Sequence, residues 1–136
     1  MALKASELKV GDSHTERVVD NLTRTQIVQY AGASGDYNPI HTDEVYTTKV
    51  AGYPSVFAHG MLTMALTGKM LTNYVGDGRL TRFGVRFTNQ VWPGDTLDAK
   101  ATVTAIKDGL AELEVVTTNQ DGKEVVRGYA EARIDA

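Results

Sequence analysis

Residues Gly60–Val75 read GMLTMALTGKMLTNYV and form the one long stretch of this chain that is dense in apolar residues. Drawn as a helix, the stretch carries apolar residues on almost every face: Met61, Leu62, Met64, Ala65, Leu66, Met70, Leu71, Tyr74 and Val75. A helix that is apolar nearly all round is typical of a buried helix, and this one is too short to cross a membrane. The stretch therefore predicts a central helix around which the remainder of the chain must wrap.

The wrapping is predicted by the sequence from Leu80 onward, where apolar residues alternate with period two. One face of the first strand holds Phe83, Val85 and Phe87, and one face of the next holds Leu97, Ala99, Ala101 and Val103. Turns are signalled at Pro93-Gly94-Asp95, Asp108-Gly109 and Asn119-Gln120-Asp121-Gly122, and the last strand ends near Ile134. With an earlier strand at about residues 14–20, we expect an antiparallel meander of about five strands.

Two short helices are expected before the central one. Thr23 and Gln26 form a capping box, and Leu22 with Ile27 forms a hydrophobic staple, so the first helix begins at Arg24. Gly32 is a natural end for it. A second, polar helix is predicted at about residues 43–50. The chain is thus a single α+β domain, residues 1–136, with a sheet wrapped around one long helix.

Composition excludes several classes of function. The 136 residues carry a net charge of −3 and no run of basic residues interleaved with aromatic ones, which argues against a nucleic-acid partner. There is no cysteine, hence no disulfide, thiol nucleophile or zinc–cysteine site. No glycine-rich phosphate loop is present, and neither a signal peptide nor a membrane span is apparent. We expect a cytoplasmic protein whose chemistry comes from its side chains.

The chemistry is indicated by Gly35-Asp36-Tyr37-Asn38-Pro39-Ile40-His41, which sets a carboxylate and an imidazole five positions apart. Asn38 before Pro39 disfavours a helix, so the segment bends and can turn both side chains toward one point. An ionised carboxylate beside a histidine suits acid–base catalysis. The alternative is an ordinary Asx turn with a solvated histidine, and the motif alone leaves both interpretations open.

The start of the central helix is the second candidate site. Its unpaired N–H groups and partial positive charge can stabilise negative charge, and Gly60 lets a ligand approach that backbone closely. Down the helix, Met64, Thr67, Gly68 and Leu71 continue the line from Gly60, which predicts a path for an apolar acyl chain. The alternative is that Gly60 merely permits close helix packing.

Other candidates carry weaker signals. His59 either contacts substrate or serves as a cap or packing residue. Arg86, with Arg82 on the same strand face, either meets a phosphate or forms part of a solvated face. A metal site built from Asp36, His41 and His59 is disfavoured because the sequence has no HxH or HExxH spacing. We therefore predict no bound metal.

These motifs, together with Ala58-His59-Gly60-Met61, Val85-Arg86-Phe87 and Pro93-Gly94-Asp95, resemble the MaoC-like hydratase and dehydratase family of hot-dog proteins. The resemblance covers essentially the entire chain. The residues of these motifs are most similar to the branch containing the catalytic B subunit of mycobacterial-type (3R)-hydroxyacyl-ACP dehydratase. A serine found in homodimeric (R)-specific enoyl-CoA hydratases of the family appears here as Gly68, a departure that also fits a wider acyl channel.

The resemblance implies reversible loss of water from a (3R)-hydroxyacyl thioester, giving a trans-2-enoyl thioester, without a metal or nucleotide cofactor. Asp36 and His41 carry over as the catalytic pair and the Gly60 N–H as the carbonyl-polarising donor, while Asn38 and Pro39 shape the loop. The implied partners are an acyl-ACP or acyl-CoA substrate and a second hot-dog subunit, identical or different. The last strand is the expected place for this pairing. A thioesterase and a noncatalytic acyl-binding subunit are less favoured alternatives, since neither explains the Asp36 and His41 pair.

Overall fold

The computed structural model describes residues 2–136 as one sheet packed on one long helix, with two short helices beside them. The elements in chain order are β1 Ser13–Val19, α1 Arg24–Ser34, α2 Glu44–Lys49, α3 Gly60–Val75, β2 Leu80–Phe87, β3 Leu97–Lys107, β4 Leu110–Thr118 and β5 Glu124–Arg133. A short 3₁₀ turn at Pro39–His41 lies between α1 and α2. The predicted central helix coincides with α3, and the predicted architecture of five strands and a long helix is confirmed.

The sheet is antiparallel with the strand order β1-β3-β4-β5-β2. The predicted meander holds for β3, β4 and β5 but is wrong for β2, which pairs with β5 instead of β3. Residues 88–96, which join β2 to β3, form too long a connection for a tight hairpin, and β1 pairs with β3 instead. The strands β1 and β2 are therefore the sheet edges. The last strand was expected to provide extra pairing or packing for a second subunit; extra pairing is excluded because β5 lies between β4 and β2, whereas packing there stays a prediction.

Helix α1 begins as predicted and ends later than predicted. Thr23 caps it, with the capping box to Gln26 formed in both directions. Gly32 does not end the helix, since it keeps helical geometry, whereas Gly35 adopts a left-handed φ of 77° and donates its N–H to the Ala31 carbonyl. The chain therefore turns sharply at Gly35, and Asp36 emerges directly beyond the helix end.

Helix α3 buries one face and leaves another exposed. The buried face packs on the sheet and consists of Thr63, Thr67, Met70, Leu71 and Val75. On a different side, Met61 is 54% exposed and Ala65 is also exposed, so the expectation of a helix buried all round is wrong for this chain alone. Among residues 2–136, no helix combines the length and apolar character needed to cross a membrane.

Two glycines let α3 approach the edge strand β2 closely. A Cβ atom at Gly60 would lie 3.2 Å from the ring carbons of Phe87, and one at Gly68 would lie 3.1 Å from the ring of Phe83. Phe83 and Phe87 thus share the strand face that meets the helix, as the alternation predicted. The close contact fixes the start of α3 against the end of β2.

Candidate active site

The segment between α1 and α2 folds as two successive side-chain turns. The Asp36 carboxylate accepts the Asn38 N–H at 3.2 Å, and the Asn38 side-chain oxygen accepts the Ile40 N–H at 3.2 Å. Pro39 opens the 3₁₀ turn that ends at His41. The Asx-turn interpretation is thus correct, and it is compatible with the catalytic one because these turns direct His41 inward. Asn38 and Pro39 shape the loop, as expected.

His41 is held by a single backbone acceptor. Its Nδ1 lies 2.6 Å from the Phe57 carbonyl oxygen, and the residue is 7% exposed. Because a carbonyl only accepts, Nδ1 carries the hydrogen in the neutral ring, and Nε2 keeps its lone pair. His41 therefore presents Nε2 as the nitrogen available to take a proton.

Asp36, His41 and His59 come together in space. One ligating atom from each of the three side chains lies within 4.8 Å of the other two. Asp36 is exposed, whereas both histidines are buried. The structure thus brings Asp36 and His41 to one point, as their spacing across the bend predicted, and leaves the carboxylate open to solvent or ligand.

His59 lies behind this pair. It is 2% exposed, and its Nε2 lies 3.0 Å from the backbone oxygen of Asp36. Its ring stacks on that of His41 with 3.8 Å between centroids and 23° between planes. With so little surface, the side chain has almost no area to offer a substrate, so a role inside the protein fits this structure better than direct contact, although the side chain does not cap the helix.

The N-terminus of α3 offers a free donor at Gly60, directly after His59 in the chain. His59 is the N-cap residue but forms no side-chain cap, and no acceptor in residues 2–136 takes the Gly60 N–H. A pocket of about 310 Å³ opens there. Its lining includes Phe57, Gly60, Thr63, Phe87, Asn89 and Gln90. The packing role of Gly60 is evident in its contact with Phe87, and the free N–H keeps the electrostatic role open.

The predicted acyl path along α3 divides into two sets of residues. Met64 and Gly68 line an open groove of about 500 Å³ on the outer side of the helix. Thr67 and Leu71 instead face the sheet and are fully buried. The room expected beside Gly68 is partly taken by Phe83. Any channel on the outer side of α3 is therefore open to solvent along its length in this chain alone.

Arg86 lies apart from the other candidates. Its neighbour Phe87 packs on α3, so alternation directs Arg86 to the opposite sheet face, where it pairs in register with Arg127. On that face, Arg82 lies over the Tyr129 ring at 5.4 Å. Within this chain, the structure does not bring Arg86 to the pair formed by Asp36 and His41, called the dyad below. A role of Arg86 in binding a phosphate stays a prediction.

The three grouped side chains also invite the question of a metal ion. His41 Nδ1 and His59 Nε2 already face backbone oxygens, so only His41 Nε2, His59 Nδ1 and the Asp36 carboxylate remain. Stacked imidazoles hold their lone pairs in nearly parallel planes, whereas the ligands of one ion must converge on it. The geometry therefore suits proton transfer better than metal binding.

Burial lowers the pKa of His41 below its ordinary value. The Phe57 carbonyl and Asp36 act in the opposite direction, and His59 adds to the lowering. His41 is therefore neutral at pH 7, with Nε2 ready to act as a base. In the unfolded chain the same ring titrates at about pH 6.5. Between the folded and the unfolded pKa of His41, the unfolded state thus binds more protons than the folded state. The contribution of neutral His41 to the free energy of unfolding is therefore fully present above about pH 6.5 and is lost as the pH falls through the lower pKa of the folded state.

We accordingly expect acidification from neutral pH to lower the free energy of unfolding more in the wild type than in His41→Gln. The glutamine amide can still donate to the Phe57 carbonyl but does not titrate. Urea denaturation of both proteins across this pH range checks the expectation. Parallel pH profiles would show that His41 does not link protonation to folding.

Sequence reasoning missed three groups that complete the site. The Phe57 carbonyl, which orients His41, left no signal because every residue has a carbonyl. Tyr30, whose ring centroid lies 4.9 Å from that of His59 in an edge-to-face arrangement, is 29 positions away in the sequence, too far for a local pattern to link the two. Phe87 was placed on the correct strand face, but its contact with Gly60 depends on helix–sheet packing that the sequence does not encode locally.

Comparison with known proteins agrees with this fold. The 3-hydroxyacyl-thioester dehydratase Y of Mycobacterium tuberculosis is 32% identical over 83% of this chain and 39% of its own length. Among solved structures, R-hydratase PhaJ1 of Pseudomonas aeruginosa has a TM-score of 0.86 and 28% identity, covering 98% of this chain and 86% of that one. The (R)-hydratase of A. caviae involved in PHA biosynthesis has a TM-score of 0.85 and 26% identity, covering 96% and 99%.

The family assignment rests on a family model and not on any single relative. The chain spans less than half the length of the curated relatives it matches, so their whole activities do not transfer directly. The family model described as "MaoC like domain" matches residues 6–125, which include the dyad loop, α3 and most of the sheet. The chain belongs to the family of MaoC-like domains.

Proposed function

We propose that this chain is a hydro-lyase that adds water to, or removes it from, the C2–C3 bond of an acyl thioester. The observation that carries the proposal is the meeting of the Asp36 carboxylate and the His41 imidazole beside His59, the residue that directly precedes the unpaired N–H of Gly60 in the chain. Acid–base groups beside an oxyanion donor are what this elimination requires.

In dehydration, the thioester oxygen accepts the Gly60 N–H, which stabilises negative charge as the C2 proton leaves. His41 takes that proton at Nε2, and Asp36 orients the departing C3 hydroxyl. The C2–H and C3–O bonds break and the C2–C3 double bond forms, while His41 gives the proton taken from C2 to the departing hydroxyl, which leaves as water and restores the neutral imidazole. Hydration runs through the same steps in reverse. The two coupled groups can also exchange these roles without altering the overall reaction.

The similar proteins support this reaction and its stereochemistry. One is named for dehydrating 3-hydroxyacyl thioesters, and two solved structures are named as R-hydratases. These names describe one equilibrium approached from opposite sides. We therefore propose (3R)-hydroxyacyl and trans-2-enoyl thioesters as the two reactants, with the carrier protein of fatty acid elongation as the thioester partner.

A second candidate is a homodimeric (R)-specific enoyl-CoA hydratase. It is favoured by one observation, namely that the two R-hydratase structures match this chain over 98% and 96% of its length. The chemistry of the dyad is identical in the two candidates. They differ only in the carrier, in the physiological direction and in the identity of the partner subunit.

A partner subunit is part of the proposal because α3 and β2 are each left half covered. The outer groove on α3 is lined mostly by apolar atoms of Met61, Met64, Ala65, Leu80 and Phe83. The strand β2 pairs only with β5, so its other edge has unpaired backbone groups. A second hot-dog subunit at this edge would cover the groove and turn it into an enclosed acyl channel.

The test is hydration of a trans-2-enoyl-CoA by the purified chain, followed through the loss of enoyl absorbance. Chiral analysis of the product should give the (3R)-hydroxyacyl thioester. Turnover by the chain alone, with a homodimer seen in light scattering, would favour the enoyl-CoA hydratase. Turnover only with an acyl-ACP or an added subunit would favour the dehydratase. Release of free thiol would instead identify a thioesterase and contradict the proposal.

A further inference from the structure

His59 connects the three parts of the proposed site. It precedes Gly60 as the N-cap residue of α3, it bonds to the backbone of Asp36, and its ring lies against that of His41. Its 2% exposure leaves almost no surface for a ligand. The role of this residue must therefore be sought in what it holds, not in what it touches outside the protein.

The bond from His59 to Asp36 fixes the tautomer of the ring. A backbone oxygen only accepts, so His59 Nε2 carries the hydrogen and donates it to the Asp36 carbonyl at 3.0 Å. In the neutral ring, Nδ1 is then a bare acceptor. This Nδ1 is the one side-chain polar atom in residues 2–136 that is buried without a hydrogen-bond partner.

An unpaired buried acceptor is costly, because it has lost its water without gaining a protein hydrogen bond. A phenylalanine ring would fill similar space, would keep the contacts with His41 and Tyr30, and would bury no unpaired nitrogen. Packing therefore does not account for a histidine here. What histidine adds is the Nε2–H donor, whose acceptor is the backbone of Asp36.

The second effect of His59 is on the ring of His41. Phe57 holds that ring at Nδ1, and His59 covers one of its faces at 3.8 Å. Together these contacts limit how far the ring can rotate or tilt. The donor and the ring face thus act on both members of the dyad from a single side chain.

We propose that His59 is a positioning residue, which holds the Asp36 backbone by hydrogen bonding and the His41 ring by stacking so that both groups face one reacting atom. This inference rests on the proposed function for its kinetic consequence. The donor bond itself, however, is a property of the folded chain and is testable without any substrate.

Two variants separate the donor from the ring. His59→Phe keeps an aromatic ring beside His41 but removes the donor, whereas His59→Gln keeps an N–H group of similar reach but removes the ring. Since a misplacement of about 1 Å can cost ~100-fold in rate, we expect His59→Phe to lower kcat by roughly 10–100-fold with little change in KM. His59→Gln should recover the loss that is due to the donor and keep a smaller loss that is due to the missing ring contact with His41.

Stability distinguishes positioning from a structural role. His59→Phe removes both an unpaired buried nitrogen and the hydrogen bond to the carbonyl of the exposed residue Asp36, two opposing effects, so it should unfold at about the same urea concentration as the wild type. A loss of turnover without a loss of stability is the expected result. Wild-type kcat in His59→Phe, or equal losses in the two variants, would overturn the donor role.

Amide hydrogen exchange tests the positioning independently of activity. In His59→Phe, the amides of Asn38 and Ile40, which bond within the dyad loop, should exchange faster, while those of the central strand β4 stay unchanged. His59→Gln should resemble the wild type. If the wild type shows no hydratase activity, the proposed function fails and this measurement still decides the inference. Unchanged exchange in His59→Phe would overturn it.

Discussion

Replacing Asp36 with asparagine is expected to lower kcat for enoyl thioester hydration by about 10²–10⁴-fold, the range found for groups that act in acid–base catalysis. The turn that holds residue 36 should survive, because an asparagine side-chain oxygen can accept the Asn38 N–H as the carboxylate does. The side chain is exposed and takes part in no ion pair among the described residues. The variant therefore removes charge and basicity while keeping the local fold.

Asp43→Asn is the matched control for this variant. Asp43 caps α2 by accepting the Tyr46 N–H at 3.1 Å, and asparagine caps helices equally well. The same chemical change two residues beyond His41 should thus leave kcat and stability near the wild-type values. Circular dichroism and urea denaturation would verify that both variants fold. Near-normal turnover in Asp36→Asn would remove this carboxylate from the mechanism.

The local part of the fold was predictable because its determinants lie close together in the sequence. Thr23 and Gln26 are three residues apart and cap α1 as expected, and Asp108-Gly109 forms the hairpin turn with φ values of 54° and 77°. Between two glycines near the end of α1, local rules chose wrongly. Gly32 and Gly35 are both acceptable ends, and the φ of 77° at Gly35 decides between them only in the structure.

The pairing of β2 was not predictable, since it depends on contacts distant in sequence. Alternation identified the strand and the face that holds Phe83 and Phe87, but alternation is the same whichever neighbour a strand has. In the observed register Gly84 faces Tyr129, and a Cβ atom at Gly84 would lie 2.7 Å from the Tyr129 hydroxyl oxygen, so the Tyr129 ring can lie there only because residue 84 is a glycine. Contacts distant in sequence also decide how much of α3 is covered. The apolar residues along its outer groove suggested complete burial, although part of that face stays open.

The dyad itself was predictable because Asp36 and His41 are near in sequence and separated by a turn. The contacts that hold these two residues in place were not predictable. His59 contacts the backbone oxygen of Asp36, and the backbone oxygen of Phe57 contacts His41. Because each acceptor is a backbone oxygen, the sequence does not reveal these bonds. Sequence therefore predicted that Asp36 and His41 lie together, and the structure was needed to see which of their atoms lack a hydrogen-bond partner.

Replacing Gly60 with proline is expected to lower kcat by about 10²–10³-fold, the effect of losing one oxyanion donor. Gly60 is the first residue of α3, where proline is favoured because its missing N–H has no partner within the helix. His59 already has a ψ of 137°, in the extended range that precedes proline. Proline should thus delete the N–H that we assign to the thioester oxygen while the helix still forms.

The control is Gly60→Ala, which keeps the N–H and adds only a Cβ atom. That Cβ would lie 3.2 Å from the Phe87 ring, which must shift by a few tenths of an ångström. Phe87 is 52% exposed, so the ring can move, and proline makes the same demand. The ratio of kcat between Gly60→Ala and Gly60→Pro therefore isolates the N–H, provided that urea denaturation shows both variants folded. Equal kcat in the two would mean that the start of α3 packs against β2 without polarising the substrate, leaving Asp36 and His41 to work without an oxyanion donor from Gly60.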